Sequence, residues 1–251
     1  MRDPQTLCDL RGMGVLVTRP AVQAEPLCAW IQANQGRPVR FPAMEIFPRI
    51  DQASRRRLAA ADSFDLLIFV STNAVHHAIE HLPAGGIRQA AAVGAATARA
   101  LADAGFTDVL TPRTTADSDG LLALPEMRSV KGKRILIIRG TGGRPLLGDT
   151  LAGRGAGVVY AEVYERRIPQ SDPSDLLRQW EQSIDTVIAT SGEILENLLK
   201  ILNDDHRLKD TPLVVVSARV ARKAEQQGFT TVVEAAGAGE SAIITSLCGL
   251  A

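Results

Sequence analysis

Only three cysteines are present, Cys8, Cys28 and Cys248, odd in number and without close spacing. That pattern speaks against a disulfide framework or a thiolate metal site, and it predicts reduced thiols in a cytoplasmic protein. Charge of neither sign prevails, with Lys+Arg at 28 and Asp+Glu at 28. Nucleic-acid binding usually shows as a basic excess, so no nucleic-acid partner is expected. No apolar run approaches the ~20 residues that span a bilayer, so no membrane partner is expected either. Asp3 and Asp9 stand where a secretory leader carries its basic region, and no long apolar stretch follows. An apolar content of 45% describes a chain able to bury a core.

Several ligand-binding motifs are also missing. Gly140 to Gly143 has no GK[ST] ending and is not a P-loop. Gly153-Arg154-Gly155-Ala156-Gly157 follows a predicted helix, not a strand, and reads as a turn. His77 and His81 stand one helical turn apart beside His76 and Glu80, but no third ligand is evident and the pattern is not H-E-x-x-H. That segment reads as a solvated helix face, as does Arg55-Arg56-Arg57. No Ser-His-Asp or Cys-His arrangement stands out. No metal or cofactor is expected.

What is present is a repeat. Gly12-Met13-Gly14-Val15-Leu16-Val17-Thr18-Arg19 returns as Gly132-Lys133-Arg134-Ile135-Leu136-Ile137-Ile138-Arg139. Phe64-Asp65-Leu66-Leu67-Ile68-Phe69-Val70-Ser71 returns as Ile184-Asp185-Thr186-Val187-Ile188-Ala189-Thr190-Ser191. The offset, about 120 residues, is too long for a solenoid unit and suits a duplicated domain. Short apolar strands alternate with helices in each copy, which means βαβ units and parallel sheets. The expected fold is α/β: two flavodoxin-like parallel-sheet lobes from an internal repeat. Residues 39–50 carry proline and residues 158–168 are extended at the same place in the second copy. Proline is kept out of central strands, so these are expected to be crossing strands, a two-strand β linker between the lobes. The first β-α unit of each copy would then pack with the later strands of the other. The lobes become residues 1–40 with 168–251, and residues 41–167. Residues 1–10 read as a loose lead-in.

Ligands of doubly wound sheets bind beyond the carboxyl ends of the strands. Those positions hold Thr18-Arg19, Ser71-Thr72-Asn73, Gly94 with Thr97, Arg139-Gly140-Thr141, Thr190-Ser191 and Ser217-Ala218-Arg219. Each lies at the start of a predicted helix, where free N–H groups favour anions. Any one of them alone is explained as a helix cap. Together they point to a ligand with several negative groups.

In order and spacing these pieces resemble the uroporphyrinogen-III synthase family. The resemblance rests on Val17-Thr18-Arg19-Pro20 with Gln23-Ala24, Phe69-Val70-Ser71-Thr72-Asn73-Ala74-Val75, Val93-Gly94 with Thr97-Ala98, Ile138-Arg139-Gly140 with Arg144 and Leu147, Val163-Tyr164, Thr190-Ser191 and Val216-Ser217. It implies two α/β lobes on a two-strand ladder with the active site in the cleft between them. It implies the substrate hydroxymethylbilane, a linear tetrapyrrole with eight carboxylates. The implied chemistry is loss of water from the ring A hydroxymethyl group, attack by ring D at its substituted carbon, and a spiro intermediate that recloses with ring D inverted. The product belongs to haem, sirohaem and cobalamin biosynthesis. Tyr164 matches the family's candidate general acid, and Thr97 a family threonine near the cleft. Where the family often has a second threonine this chain has Val220-Ala221. The resemblance further implies a monomer in transient contact with hydroxymethylbilane synthase. The rival reading is a two-lobed binding or sensor module for a small anion or a sugar, without catalysis.

Overall fold

A computed structural model describes residues 5–84, 89–112 and 117–251. Eleven strands are assigned among the described residues: β1 Gly14–Val17, β2 Arg37–Arg40, β3 Glu45–Pro48, β4 Leu66–Phe69, β5 Ala90–Ala92, β6 Val109–Leu110, β7 Arg134–Gly140, β8 Gly157–Arg167, β9 Thr186–Ala189, β10 Leu213–Val215 and β11 Val232–Glu234. They form a five-stranded sheet in the order β11-β10-β9-β1-β2 and a six-stranded sheet in the order β3-β8-β7-β4-β5-β6. The chain divides into two compact units. One holds Met1–Glu45 with Arg167–Ala251, and the other Ile46–Arg166.

The registers join strands far apart in the chain. β1 runs parallel to β9, with Val15 opposite Thr186, and β7 runs parallel to β4, with Ile135 opposite Leu66. Two aspartates lock these junctions in the same way. Asp185 Oδ2 accepts from the Gly14 amide at 2.6 Å and the Asp185 amide donates back to the Gly14 carbonyl at 2.8 Å. Asp65 does the same to Arg134, at 2.8 and 2.9 Å. Gly14 is needed there because a Cβ would lie 1.8 Å from the Ser183 carbonyl oxygen.

Continuous apolar strands become central because a parallel sheet covered on both faces buries every side chain. In the six-stranded sheet Leu67, Phe69, Leu136 and Ile138 enter one core cluster. Their neighbours Leu66, Ile68, Ile135 and Ile137 enter the other, as the two-residue period of a strand requires. In the five-stranded sheet Val15, Val17, Ile188 and Val214 pack with Leu27, Trp30 and Ile31 of the helix Ala21–Ala33.

Two expectations are corrected. Residues 39–50 are not one crossing strand: β2 closes the edge of one sheet, β3 the edge of the other, and Phe41–Met44 breaks the run. Pro38 and Pro48 thus sit at edges, where the missing N–H is harmless. Residues 158–168 lie almost wholly in β8, which pairs with β7 from Gly157 onward with one irregularity at Arg139/Gly140, and the chain passes from one unit to the other after Arg166. Residues 5–10 of the lead-in are not loose. Asn34, fully buried, accepts the Leu7 and Cys8 amides on Oδ1 and donates from Nδ2 to the Gln5 and Trp30 carbonyls. Leu10 is 1% exposed.

The cysteine reading is corrected too. Cys8 and Cys248 form a disulfide across 240 residues of sequence. Cys28 remains a buried free thiol whose pKa burial pushes up. Nothing in the spacing announces the pair, since it is the docking of the last helix, Glu240–Cys248, on the helix Ala21–Ala33 that brings the termini together. No helix among the described residues is long and apolar enough to cross a membrane.

One surface contact carries a pH dependence. Asp205 caps the helix His206–Asp210 and binds the Arg207 guanidinium at 2.9 and 2.7 Å, which holds its pKa down at about 2. A carboxylate that is more acidic folded than unfolded stabilises above the unfolded value near 4, and that contribution fades as pH falls towards 2. Asp205→Asn, which keeps an oxygen for the cap, is expected to flatten the acid limb of the melting-temperature curve between pH 4 and 2. An unchanged acid limb in parallel melts would refute this.

Candidate functional site

Parallel strands bring their carboxyl ends to one edge of a sheet, and each sequence-predicted residue except Tyr164 sits at or just beyond such an end. One unit holds Arg19, Thr190, Ser191, Ser217 and Arg219, and the other Ser71, Asn73, Gly94, Thr97, Arg139, Gly140 and Tyr164.

The two arginines that close β1 and β7 are already engaged. Arg19 is 9% exposed, pairs with Glu240 at 2.9 Å and donates to the Ala238 carbonyl at 2.6 Å. Arg139 pairs with Glu162 at 3.0 Å, donates to the Gly143 carbonyl at 3.1 Å and lies 3.9 Å over the Tyr160 ring. Both therefore hold strand-end loops in place. Arg144 and Arg219 are exposed and make no ion pair among the described residues, so both are free to meet an anion.

Of the two serines in the first unit, one caps its helix through its side chain. Ser191 Oγ accepts the Ile194 amide at 3.1 Å at the start of the helix Gly192–Ile201, with Thr190 half-buried before it. Ser217 precedes the helix Ala218–Gln226 in extended conformation, and its side chain makes no cap bond. Gly94 stands likewise before Ala95–Asp103, whose Thr97 is 5% exposed. Asn73 lies in the first turn of Thr72–Ala78 and is held by a neighbour.

The fold brings Ser71, Gly140 and Tyr164 into direct contact. Ser71 Oγ caps the helix Thr72–Ala78 by accepting the Ala74 amide at 3.1 Å, and lies 3.1 Å from the Tyr164 hydroxyl. Tyr164 comes from β8 and is 3% exposed. Its ring lies against the backbone of Gly140 so closely that a Cβ there would be 2.6 Å from Cε2 and Cζ. The strand irregularity at Arg139/Gly140 sets that pairing, with Gly140 opposite Tyr164.

His77 is the residue that the sequence reading missed. It is half-buried, with its ring centroid 6.0 Å from that of Tyr164. Burial and the neighbouring His76 push its pKa below the usual histidine value, against a smaller opposing pull from Glu80. A β8 residue meets it across a long sequence gap, which a solvated-face reading of the helix alone does not reveal. Arg55, Arg56 and Arg57 are exposed as expected, although Arg57 reaches the Tyr160 carbonyl. In the five-residue glycine segment Arg154 and Gly155 turn the chain from the helix ending at Gly153 into β8, with Gly155 at φ +88°.

Residues 25–245 match the family model described as uroporphyrinogen-III synthase HemD. The chain is 34% identical over 246 residues to the uroporphyrinogen-III synthase of Escherichia coli (strain K12), covering 94% of this chain and 100% of that one. It is 34% identical over 245 residues to the enzyme of the same name from Salmonella typhimurium, with 94% and 100% covered. The crystal structure of uroporphyrinogen-III synthetase from Helicobacter pylori 26695 is similar in fold, with a TM-score of 0.64 at 16% identity over 95% of this chain and 100% of that one. A mutant uroporphyrinogen III synthase from Thermus thermophilus gives a TM-score of 0.62 at 18% identity over 92% and 96%. The chain belongs to the uroporphyrinogen-III synthase family.

Proposed function

We propose that this chain cyclises hydroxymethylbilane to uroporphyrinogen III, with loss of water and inversion of ring D. The observation that carries the reading is Tyr164, a buried phenol held by Ser71 at the carboxyl ends of β4 and β7. The reaction needs one proton donor near the departing hydroxyl. It needs little other covalent chemistry. Left alone, the substrate closes to the type I isomer, so most of the task is orienting rings. The substrate carboxylates would be met by Arg144 and Arg219 and by the strand-end N–H groups near Thr97, Gly94, Thr190, Ser191 and Ser217. Asn73 completes the set, while Ser71 serves through its bond to Tyr164. Arg19 and Arg139 serve the same end by holding their loops. The matched locks at Asp65 and Asp185 support descent of the two units from one duplicated domain. The protein is proposed to act as a monomer in the cytoplasm, receiving its substrate from hydroxymethylbilane synthase by transient contact. Family membership favours this reading over a binding module, which would release its ligand unchanged.

The test generates hydroxymethylbilane in place, adds the purified protein, oxidises the products and separates the isomers. A shift from type I to type III porphyrin is expected, and unchanged type I product from folded protein would overturn the proposal. In the same assay Tyr164→Phe is expected to lower kcat about tenfold. That lies below the usual 10²–10⁴ of general acids because the hydroxyl departs readily. Full rate in this variant removes the acid role.

A further inference from the structure

We infer that Ser71 is a positioning residue that turns the Tyr164 proton towards the leaving hydroxyl and stabilises the phenolate as it forms; the inference rests on the proposed acid role of Tyr164. The Ser71 hydroxyl has one proton and two lone pairs. One lone pair is taken by the Ala74 amide at 3.1 Å. With that acceptance fixed, the hydroxyl hydrogen is available to the Tyr164 oxygen at 3.1 Å. A Tyr164 oxygen that receives a hydrogen bond from Ser71 has its own proton left to give elsewhere. Gly140 admits the ring to this place, and His77 borders it at 6.0 Å between ring centroids.

Capping does not explain the contact. Ser191 stands at the corresponding place of the sequence repeat and makes the same cap bond, to the Ile194 amide at 3.1 Å. The position that the repeat offset pairs with Tyr164 is Met44, which has no hydroxyl. Ser191 makes no second side-chain bond among the described residues. The Ser71–Tyr164 bond is therefore an addition to the cap.

The step balances. The C–O bond of the hydroxymethyl group breaks with its electron pair on oxygen. The Tyr164 proton joins that oxygen to give water, and the pyrrole nitrogen lone pair supplies the electron-poor carbon. The phenolate regains a proton from the last pyrrole as that ring recovers its aromaticity on closure. A hydrogen bond from Ser71 strengthens as charge develops on the phenol oxygen, so it acts on the transition state more than on bound substrate.

The test is a double-mutant cycle read in kcat, KM and melting temperature. Ser71→Gly keeps most of the cap stability, since glycine is tolerated at that position, but removes the hydroxyl. We expect it to lower kcat three- to fivefold with KM unchanged, Ser71→Thr to restore the rate, and Ser71→Gly to cost less than 1.5-fold in the Tyr164→Phe background. Equal losses in both backgrounds, or a rise in KM alone, would mean direct contact with substrate or a folding defect and would overturn the inference. Full activity of Tyr164→Phe would remove the acid role itself, which is read separately from the Ser71 arm.

Discussion

Gly140→Ala is expected to lower kcat about 10²-fold, more than loss of the Tyr164 hydroxyl. The added Cβ would stand 2.6 Å from two ring carbons and 3.1 Å from a third, so the ring must retreat by most of an ångström. That movement breaks the 3.1 Å bond to Ser71 and would push the phenol against the substrate in the proposed site. Misplacement on this scale is enough to cost two orders of magnitude. The overpacking should cost about 1–3 kcal/mol of stability as well. Two readouts separate the effects. Isomer analysis should show the type I fraction rising as turnover slows and free substrate closes unaided. Adding Tyr164→Leu to Gly140→Ala should restore the melting temperature while kcat stays no higher than that of Tyr164→Phe. A Gly140→Ala enzyme within twofold of wild type would show that the placement of Tyr164 does not matter to the reaction.

Breaking the Cys8–Cys248 link should destabilise the unit that contains both termini. The bond closes a loop of 240 residues, so the unfolded chain loses much freedom when it is present. The loop-entropy relation puts the contribution at about 5.5 kcal/mol, above the ~2–4 kcal/mol that single disulfides usually supply. For a chain of this size that is on the order of 10 °C in melting temperature. Calorimetry of wild type with and without a reductant, and of Cys8→Ser, should move the transition of the Met1–Glu45 with Arg167–Ala251 unit. The transition of Ile46–Arg166 should stay in place. Thiol counting in denaturant should find one reactive cysteine before reduction, Cys28, and three after it. Three thiols without reductant would show that purified protein lacks the bond. Both ends of the last helix are tied, at Cys248 to Cys8 and at Glu240 to Arg19, so reduction should also loosen the Arg19 loop.

Much of the fold was legible because strand burial writes itself into local composition. Continuous apolar runs at Val15–Val17, Leu66–Phe69, Ile135–Ile138 and Val187–Ala189 became central parallel strands, since a strand covered on both faces has no polar period to show. The prolines at 38 and 48 marked sheet edges for an equally local reason. The order of those runs is that of the β1–β9 and β4–β7 pairs. The polar residues at the strand ends followed from the same parallel geometry, and so did the family resemblance they carry.

The partners of those residues were decided only by long-range packing. Arg19 and Arg139 read as ligand arginines until the fold supplied Glu240 and Glu162, which lie 221 and 23 residues away. Cys8 and Cys248 read as free thiols because pairing across the whole chain leaves no spacing signal. His77 read as a surface residue until β8 laid Tyr164 beside it. Tyr164 itself acquired its setting from a strand irregularity that presents Gly140 to its ring, a feature of sheet register and not of either residue. Local chemistry thus settled which residues form strands, edges and caps. Which side chains meet depended on closing loops of tens to hundreds of residues, and no local pattern encodes that.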